Sequence, residues 1–219
     1  PWWGRASVAF EEVMQHKLAL VDELIDRGIE TLYIDTWRTG GWSPAYEYVK
    51  PVIESYRDKH GEAPPASPND PRWTAHVGSY VTEFLRRVRE RLDASGRKID
   101  LMVGVQDAAP LEPALPRSRG FDWETWVDQG IIDTLVIINV RWDAKDPFHS
   151  TRALYREVLD RVGGRCRVLC PVEAYDFSNL GMPAYEKATG LTQDAVATKL
   201  MQIAWEEGAA GVSLECVDY

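Results

Sequence analysis

Residues 31–38 read Thr-Leu-Tyr-Ile-Asp-Thr-Trp-Arg. An apolar run ends at Asp35, Trp37 and Arg38 stand directly behind it, and Gly40-Gly41-Trp42 follows as a loop. In a parallel α/β barrel the C-terminal strand ends face the active site, so a carboxylate there is placed for acid–base or nucleophilic work. Tryptophan faces stack on pyranose rings and charged groups bind hydroxyls. Trp37, Trp42 and Arg38 beside Asp35 therefore point to a sugar ring as ligand. The plainer arrangement is an Asp35 that caps a helix, with the tryptophans packed in a core.

The pattern recurs along the chain. Strand-like runs end at Asp107, at Arg141-Trp142-Asp143, at Glu173-Ala174-Tyr175-Asp176 and at Glu215. Cleaving a glycosidic bond takes one carboxylic acid to protonate the leaving oxygen and one carboxylate as base or nucleophile. Asp35 is the first candidate, Glu173 the second and Asp107 the third. Trp37, Trp42 and Trp142 are candidate stacking platforms, and Arg38, Arg141, Tyr175 and Glu215 are candidate substrate contacts. Each reading has a structural rival. Glu173 could pair with Arg38 or Arg141, Asp107 and Asp143 could be N-caps, and Glu215 could pair with a basic neighbour in the barrel mouth. Arg38 and Arg141 also suit bidentate recognition of a carboxylate or sulfate, which admits an anionic glycan.

The elements that would position these residues alternate in type. Val13, Leu18, Val21, Leu24 and Ile25 recur at helical spacing over residues 10–28, with Gly28 as C-cap. After the Asp35 strand, 44–60 reads as a helix with a stripe of Tyr48, Val49, Val52, Ile53 and Tyr56, stopped by Gly61. A proline-rich loop follows, and Asp70-Pro71 opens a long helix that stops near Gly96. Further strands are expected at 100–106, 134–140, 167–172 and 211–214. The helices between them are a short one from about 121, then 149–162 and 192–207. Arg86, Arg87, Arg89 and Arg91 read as a solvated outer face of the long helix. Continuous apolar strands separated by helices imply a parallel sheet. Five such strands cannot close an eight-stranded barrel. The choice is an open doubly wound sheet or the C-terminal part of a barrel, and the repeated acids and tryptophans at strand ends favour the barrel. No GxGxxG follows the first strand, so the dinucleotide fingerprint is missing.

Composition narrows the chemistry. The 219 residues suffice for one good core, and a net charge of −9 argues against general nucleic-acid binding, which needs a basic face. No apolar run approaches the length of a transmembrane helix. His16, His60, His76 and His149 fall at no strand end and form no HxH or HExxH, so neither a metal nor a cofactor is expected. Cys166 and Cys170 share a strand but stand too far apart to bond, and together with Cys216 read as buried free thiols. Pro1-Trp2-Trp3-Gly4-Arg5 is neither a signal peptide nor a natural start, so residues 1–219 read as an excised portion of one domain.

Several of these stretches together resemble the bacterial family-10-like glycosyl hydrolases. They are Ile34-Asp35-Thr36-Trp37-Arg38, the run from Val52 to Gly61, Asp70-Pro71-Arg72-Trp73 with Tyr80 to Arg89 behind it, and Trp123 to Asp133. The similarity is best over residues 30–140. It implies a TIM-type (β/α)8 barrel, here incomplete with about five parallel strands, of which roughly three N-terminal strands are missing. The Asp35 strand would then be the fourth and the Glu173 strand the seventh, the positions where many retaining barrel glycosidases hold their two carboxylates, although usually as glutamates. The resemblance implies a carbohydrate substrate and a family that is often exported. The chain departs from the family pattern at Val77, where relatives often have Arg, and at Ile34-Asp35-Thr36 in place of Leu-Asp-Phe or Leu-Asp-Tyr. A carbohydrate-binding barrel without catalysis is the alternative function, and a lyase or isomerase on the same fold is a third.

Overall fold

A computed structural model describes residues 6–36, 47–105, 120–137, 146–173, 187 and 189–215. The elements are α1 (Glu11–Asp26), β1 (Thr31–Asp35), α2 (Lys50–His60), α3 (Pro71–Ala94), β2 (Asp100–Val105), α4 (Trp123–Asp128), β3 (Thr134–Ile137), α5 (Pro147–Val162), β4 (Arg167–Glu173), α6 (Gln193–Glu206) and β5 (Gly211–Glu215). The strands form one five-stranded parallel sheet in the order β1-β2-β3-β4-β5. A doubly wound sheet reverses direction at a switch point. Here each strand lies beside its successor, as in successive units of a (β/α) barrel.

Helix starts follow from local chemistry. Asp70 accepts from the Arg72 N–H at 2.8 Å, and Pro71 occupies the first helical position, where its missing N–H costs nothing. Asp146-Pro147 repeats the device, with Asp146 accepting from the His149 N–H at 3.0 Å, so α5 begins two residues before the start expected from periodicity. α2 corrects the sequence reading more strongly. Residues 47–49 lie outside the helix, which starts at Lys50 after an extended Val49, with Pro51 in its first turn. A proline deep inside a helix clashes with the preceding turn, so the helix has to begin here and not near residue 44.

The chain packs as two compact units. One holds the described residues through Val103 and from Gly120 to Asp133. Its core includes Val52, Tyr56, Trp73 and Val77. Trp73, Trp123 and Trp126 are fully buried, and the Trp126 indole donates to Thr82 Oγ1 at 2.8 Å. The other holds Gly104, Val105 and the described residues from Thr134 on. There Val172, Val196 and Leu200 pack together, and the Tyr155 hydroxyl donates to the Pro171 carbonyl at 2.5 Å. β4 and β5 pair in register from Leu169↔Gly211 to Glu173↔Glu215.

The arginines of α3 do more than face water. Arg91 reaches Asp22 of α1 at 2.5 Å, and Arg87 joins Glu83 at 2.9 Å to Glu11 of α1 at 3.1 Å. Arg89, with only 15% of its side chain exposed, binds Asp133 at 2.7 Å. The apolar stripe alone gives no hint that these cations lash neighbouring elements together.

Candidate functional site

Three of the acids singled out in the sequence fall at strand C-termini. Asp35 is the last residue of β1 and is half-buried, and the next residue, Thr36, is fully buried. Glu173 ends β4 and Glu215 ends β5, and their Cα atoms are register partners in the parallel pair. Adjacent strands lie about 4.8 Å apart, so these two backbone positions are immediate neighbours. Asp107, Trp37, Arg38, Trp42, Arg141, Trp142 and Tyr175 lie outside the described residues, as does Asp143. Among the described residues, no group of three or more His, Cys, Asp or Glu is arranged to hold a metal ion. No helix among them is long and apolar enough to cross a membrane. Cys170 is buried and its thiol is pushed up to about 12 by burial, which makes it inert, and Cys166 is half-buried.

Two features of the first unit escaped the sequence reading. One is Glu47, which is 7% exposed and accepts a 2.6 Å hydrogen bond from the Ser7 hydroxyl. Ser7 is itself buried, and its oxygen also accepts from the Ala9 N–H at 3.2 Å. Glu47 makes no ion pair among the described residues. Burial pushes its carboxyl above the ordinary range, and the Ser7 hydrogen bond only partly offsets this. Ser7 lies just ahead of α1, and α1 runs back to the start of β1. The pair therefore ties the segment before α1 to the segment before α2.

The other is an aromatic and histidine cluster between α2 and α3. Ser55 Oγ lies 2.9 Å from His76 Nε2 and 2.6 Å from the Tyr80 hydroxyl. Tyr48 stacks on Trp73 at 4.3 Å between centroids, and Tyr56 meets the His76 ring edge-on at 5.2 Å. His76 is 6% exposed, and burial holds its pKa below the usual value. A hydrogen bond to the Val52 backbone works the other way, and the nearby charges of Lys59 and His60 add to the lowering. His76 Nδ1 and the Tyr56 hydroxyl are buried and meet no hydrogen-bond partner among the described residues. No signal of periodicity predicts this, because a helical His reads the same whether its neighbours are water or aromatic rings.

α3 has 24 residues and β2 has six. That is roughly 36 Å of helix against about 20 Å of strand. Trp73, His76 and Tyr80 all stand on α3. An open groove of about 800 Å³ runs along the same helix, lined by Ser79, Tyr80, Thr82, Glu83, Arg86 and Phe121 among others. Its walls come from α3 and the segment before α4, so it is distinct from the strand-end acids.

Strand order and strand-end acids together define an α/β chain of the (β/α)-barrel kind. No protein-family model matches the chain, and no curated protein matches it. Among solved structures it is similar to the Bacillus cereus spore cortex-lytic enzyme SleL, with a TM-score of 0.40 and 13% identity. The match covers 91% of this chain and 59% of that one, so the chain spans less than two thirds of the length of the structure it matches. The fold assignment rests on the observed strand order and not on that likeness.

Proposed function

We propose that this chain is the C-terminal part of a single (β/α)8 barrel that hydrolyses glycosidic bonds in an oligo- or polysaccharide. The observation that carries the reading is the chain-order parallel sheet, which sets Asp35, Glu173 and Glu215 at C-terminal strand ends, where barrel enzymes keep their chemistry. Asp35 is the leading carboxylate, with Glu173 and then Asp107 as its partners. Trp37, Trp42 and Trp142 supply stacking surfaces, and Arg38, Arg141, Tyr175 and Glu215 contact hydroxyls or an anionic substituent. The sequence resemblance to family-10-like glycosyl hydrolases supports the same reading.

The test is a glycan-library screen with the full-length protein, comparing wild type with Asp35→Asn. Release of sugars by wild type and its loss in the variant are expected. Full activity in Asp35→Asn removes hydrolysis from this site. Binding without turnover by wild type assigns the chain to the non-catalytic alternative.

A further inference from the structure

The groove along α3 lies wholly within the first packed unit, between the helix and residues 120–122. Its volume of about 800 Å³ falls among those of ligand sites. The lining residues extend from Pro71 to Arg86, about 22 Å of helix at the α-helical rise, so the space is a trough and not a round pocket. A trough of that form takes a chain of linked rings better than a single ring.

The polar groups of its wall alternate in kind. Ser79 Oγ donates to the His76 carbonyl at 2.6 Å and keeps lone pairs to accept with. Thr82 Oγ1 accepts from the Trp126 indole at 2.8 Å, and its own hydrogen meets no acceptor among the described residues. Glu83 offers carboxylate lone pairs and Arg86 offers N–H groups. The spacing 79, 82, 83, 86 puts all four on one face of α3. Acceptors and donors in turn suit hydroxyl groups, each of which donates and accepts. The charges on the wall are already matched. Arg86 binds Glu83 at 2.6 Å and Gln129 at 3.2 Å, and Arg87 holds the other Glu83 oxygen at 2.9 Å. Asp122 accepts from the Thr125 N–H at 3.3 Å and its hydroxyl at 2.7 Å. An ionic ligand would have to break these charge-assisted bonds to find a counter-charge, whereas a neutral one adds to them. Pro71, Ala75 and the Tyr80 ring place apolar surface beside the polar groups, and that surface fits the C–H faces of pyranose rings.

We propose that the groove along α3 is an accessory binding site for a neutral oligosaccharide, holding a stretch of glycan chain without taking part in bond cleavage. The inference rests on the carbohydrate reading above and deepens it, since it names an uncharged glycan as the ligand and gives the protein a second place to grip it. The site is built from Ser79, Thr82, Glu83 and Arg86 on one side and from the apolar surface of Ala75 and Tyr80 between them.

The experiment titrates the full-length protein with the β-linked tetrasaccharides of glucose, xylose, mannose and N-acetylglucosamine, read by calorimetry and by amide hydrogen exchange. The variants are Asp35→Asn and the double change Ala75→Leu with Ser79→Leu. The double change fills the groove and removes an acceptor at two exposed positions, with a residue that favours helix. At least one tetrasaccharide should slow exchange along residues 71–86 in wild type and equally in Asp35→Asn. The double variant should lose that protection and bind at least about tenfold more weakly, while turnover of the nitrophenyl glycoside of the same sugar stays within about twofold. If the double variant does not fold, Ser79→Ala carries the comparison, with an expected loss of about threefold or more. Saccharide binding that leaves exchange along α3 unchanged, or protection that survives the groove variants, overturns the proposal. So does a groove that takes a sulfated glycan or an unglycosylated peptide and none of the neutral tetrasaccharides. Groove binding by a protein that cleaves no glycan defeats the hydrolase reading and leaves this site standing. Cleavage without protection along α3 does the reverse.

Discussion

Asp133 stands immediately before β3, and its Oδ2 accepts both the Arg89 guanidinium at 2.7 Å and the Leu101 N–H of β2 at 2.8 Å. One carboxylate oxygen thus ties the long helix α3, the second strand and the entry to the third. Arg89 also donates to the Ile99 carbonyl at 3.3 Å. Its Nε lies 2.9 Å from Asp93 Oδ1 but outside hydrogen-bonding geometry, so that contact is Coulombic only. Removing Arg89 leaves Asp133 and a carbonyl short of a donor at a half-buried junction. Arg89→Ala is expected to cost about 1–3 kcal/mol, read from the urea midpoint, whereas Arg86→Ala, which breaks an exposed pair along the helix, should cost less than about 0.5 kcal/mol. Equal effects would return Arg89 to the solvated face.

Gly78 and Gly120 set how closely α3 approaches the segment before α4. A Cβ on Gly78 would fall 1.9 Å from the Gly120 carbonyl oxygen, and a Cβ on Gly120, whose φ is +68°, would fall 2.2 Å from the Thr74 carbonyl oxygen. Both obstacles are backbone, so no side-chain rotation relieves them. Gly78→Ala is therefore expected to destabilise by about 2–4 kcal/mol, although alanine is the better helix former. A thermal melt of the variant at or above wild type would disprove the contact.

His76 predicts a falling stability on the acid side. Its pKa in the fold is below the unfolded value of about 6.5, so under that pH the unfolded chain takes a proton that the folded chain refuses. The contribution is complete above about pH 6.5 and is lost as pH falls from there toward the folded pKa. Urea midpoints measured from pH 7.5 to 5 should decline, and His76→Gln should flatten that decline. Identical slopes in the two proteins would exclude His76 as its source.

Glu47 carries the opposite sign. Its carboxyl is raised, so above the unfolded value of about 4.3 the unfolded chain ionises while the fold keeps the proton, and stability is lost as pH rises toward the folded pKa. Glu47→Gln removes the titration and keeps an acceptor for Ser7. Its melting temperature should match wild type near pH 4 and exceed it at pH 8 by about 2–4 °C. A gain of equal size at both pH values would point to packing and not to charge.

These groups differ in how far the sequence announces them. Apolar runs ending in acid located β1, β4 and β5 together with Asp35, Glu173 and Glu215, because strand burial and strand termination are both written in local residue type. Asp70-Pro71 marked the start of α3 for the same reason. Asp146-Pro147 carries the same signal at the start of α5, whereas Pro51, with no capping side chain before it, marks the start of α2 by proline alone; hydrophobic periodicity places neither start. Glu47 and His76 were not legible. Their character comes from contacts with Ser7, forty residues away, and with Ser55 on another helix, and a lone polar residue carries no trace of either. Arg89 is similar, since its partner Asp133 is distant in sequence.

The strand-end acids yield the sharpest functional prediction. Glu173 and Glu215 are register neighbours on β4 and β5, whereas Asp35 ends β1. If Asp35 and Glu173 share the reaction, Asp35→Asn and Glu173→Gln should each lower kcat/KM on the responsive glycan by about 10³-fold or more, and the double variant should lose little beyond either single change, because residues that act as one unit are not additive. Glu215→Gln, a substrate contact in this arrangement, should raise KM and leave kcat within about tenfold. The stereochemistry of the released sugar, followed by NMR, then discriminates the mechanism. Retention requires carboxyls about 5–5.5 Å apart and a covalent intermediate, and inversion roughly 6.5–9.5 Å with a water between them. Near-wild-type turnover in Glu173→Gln with loss in Glu215→Gln would exchange the two glutamates. Asp35 would keep its role, and the reacting carboxylate would move one strand over to β5.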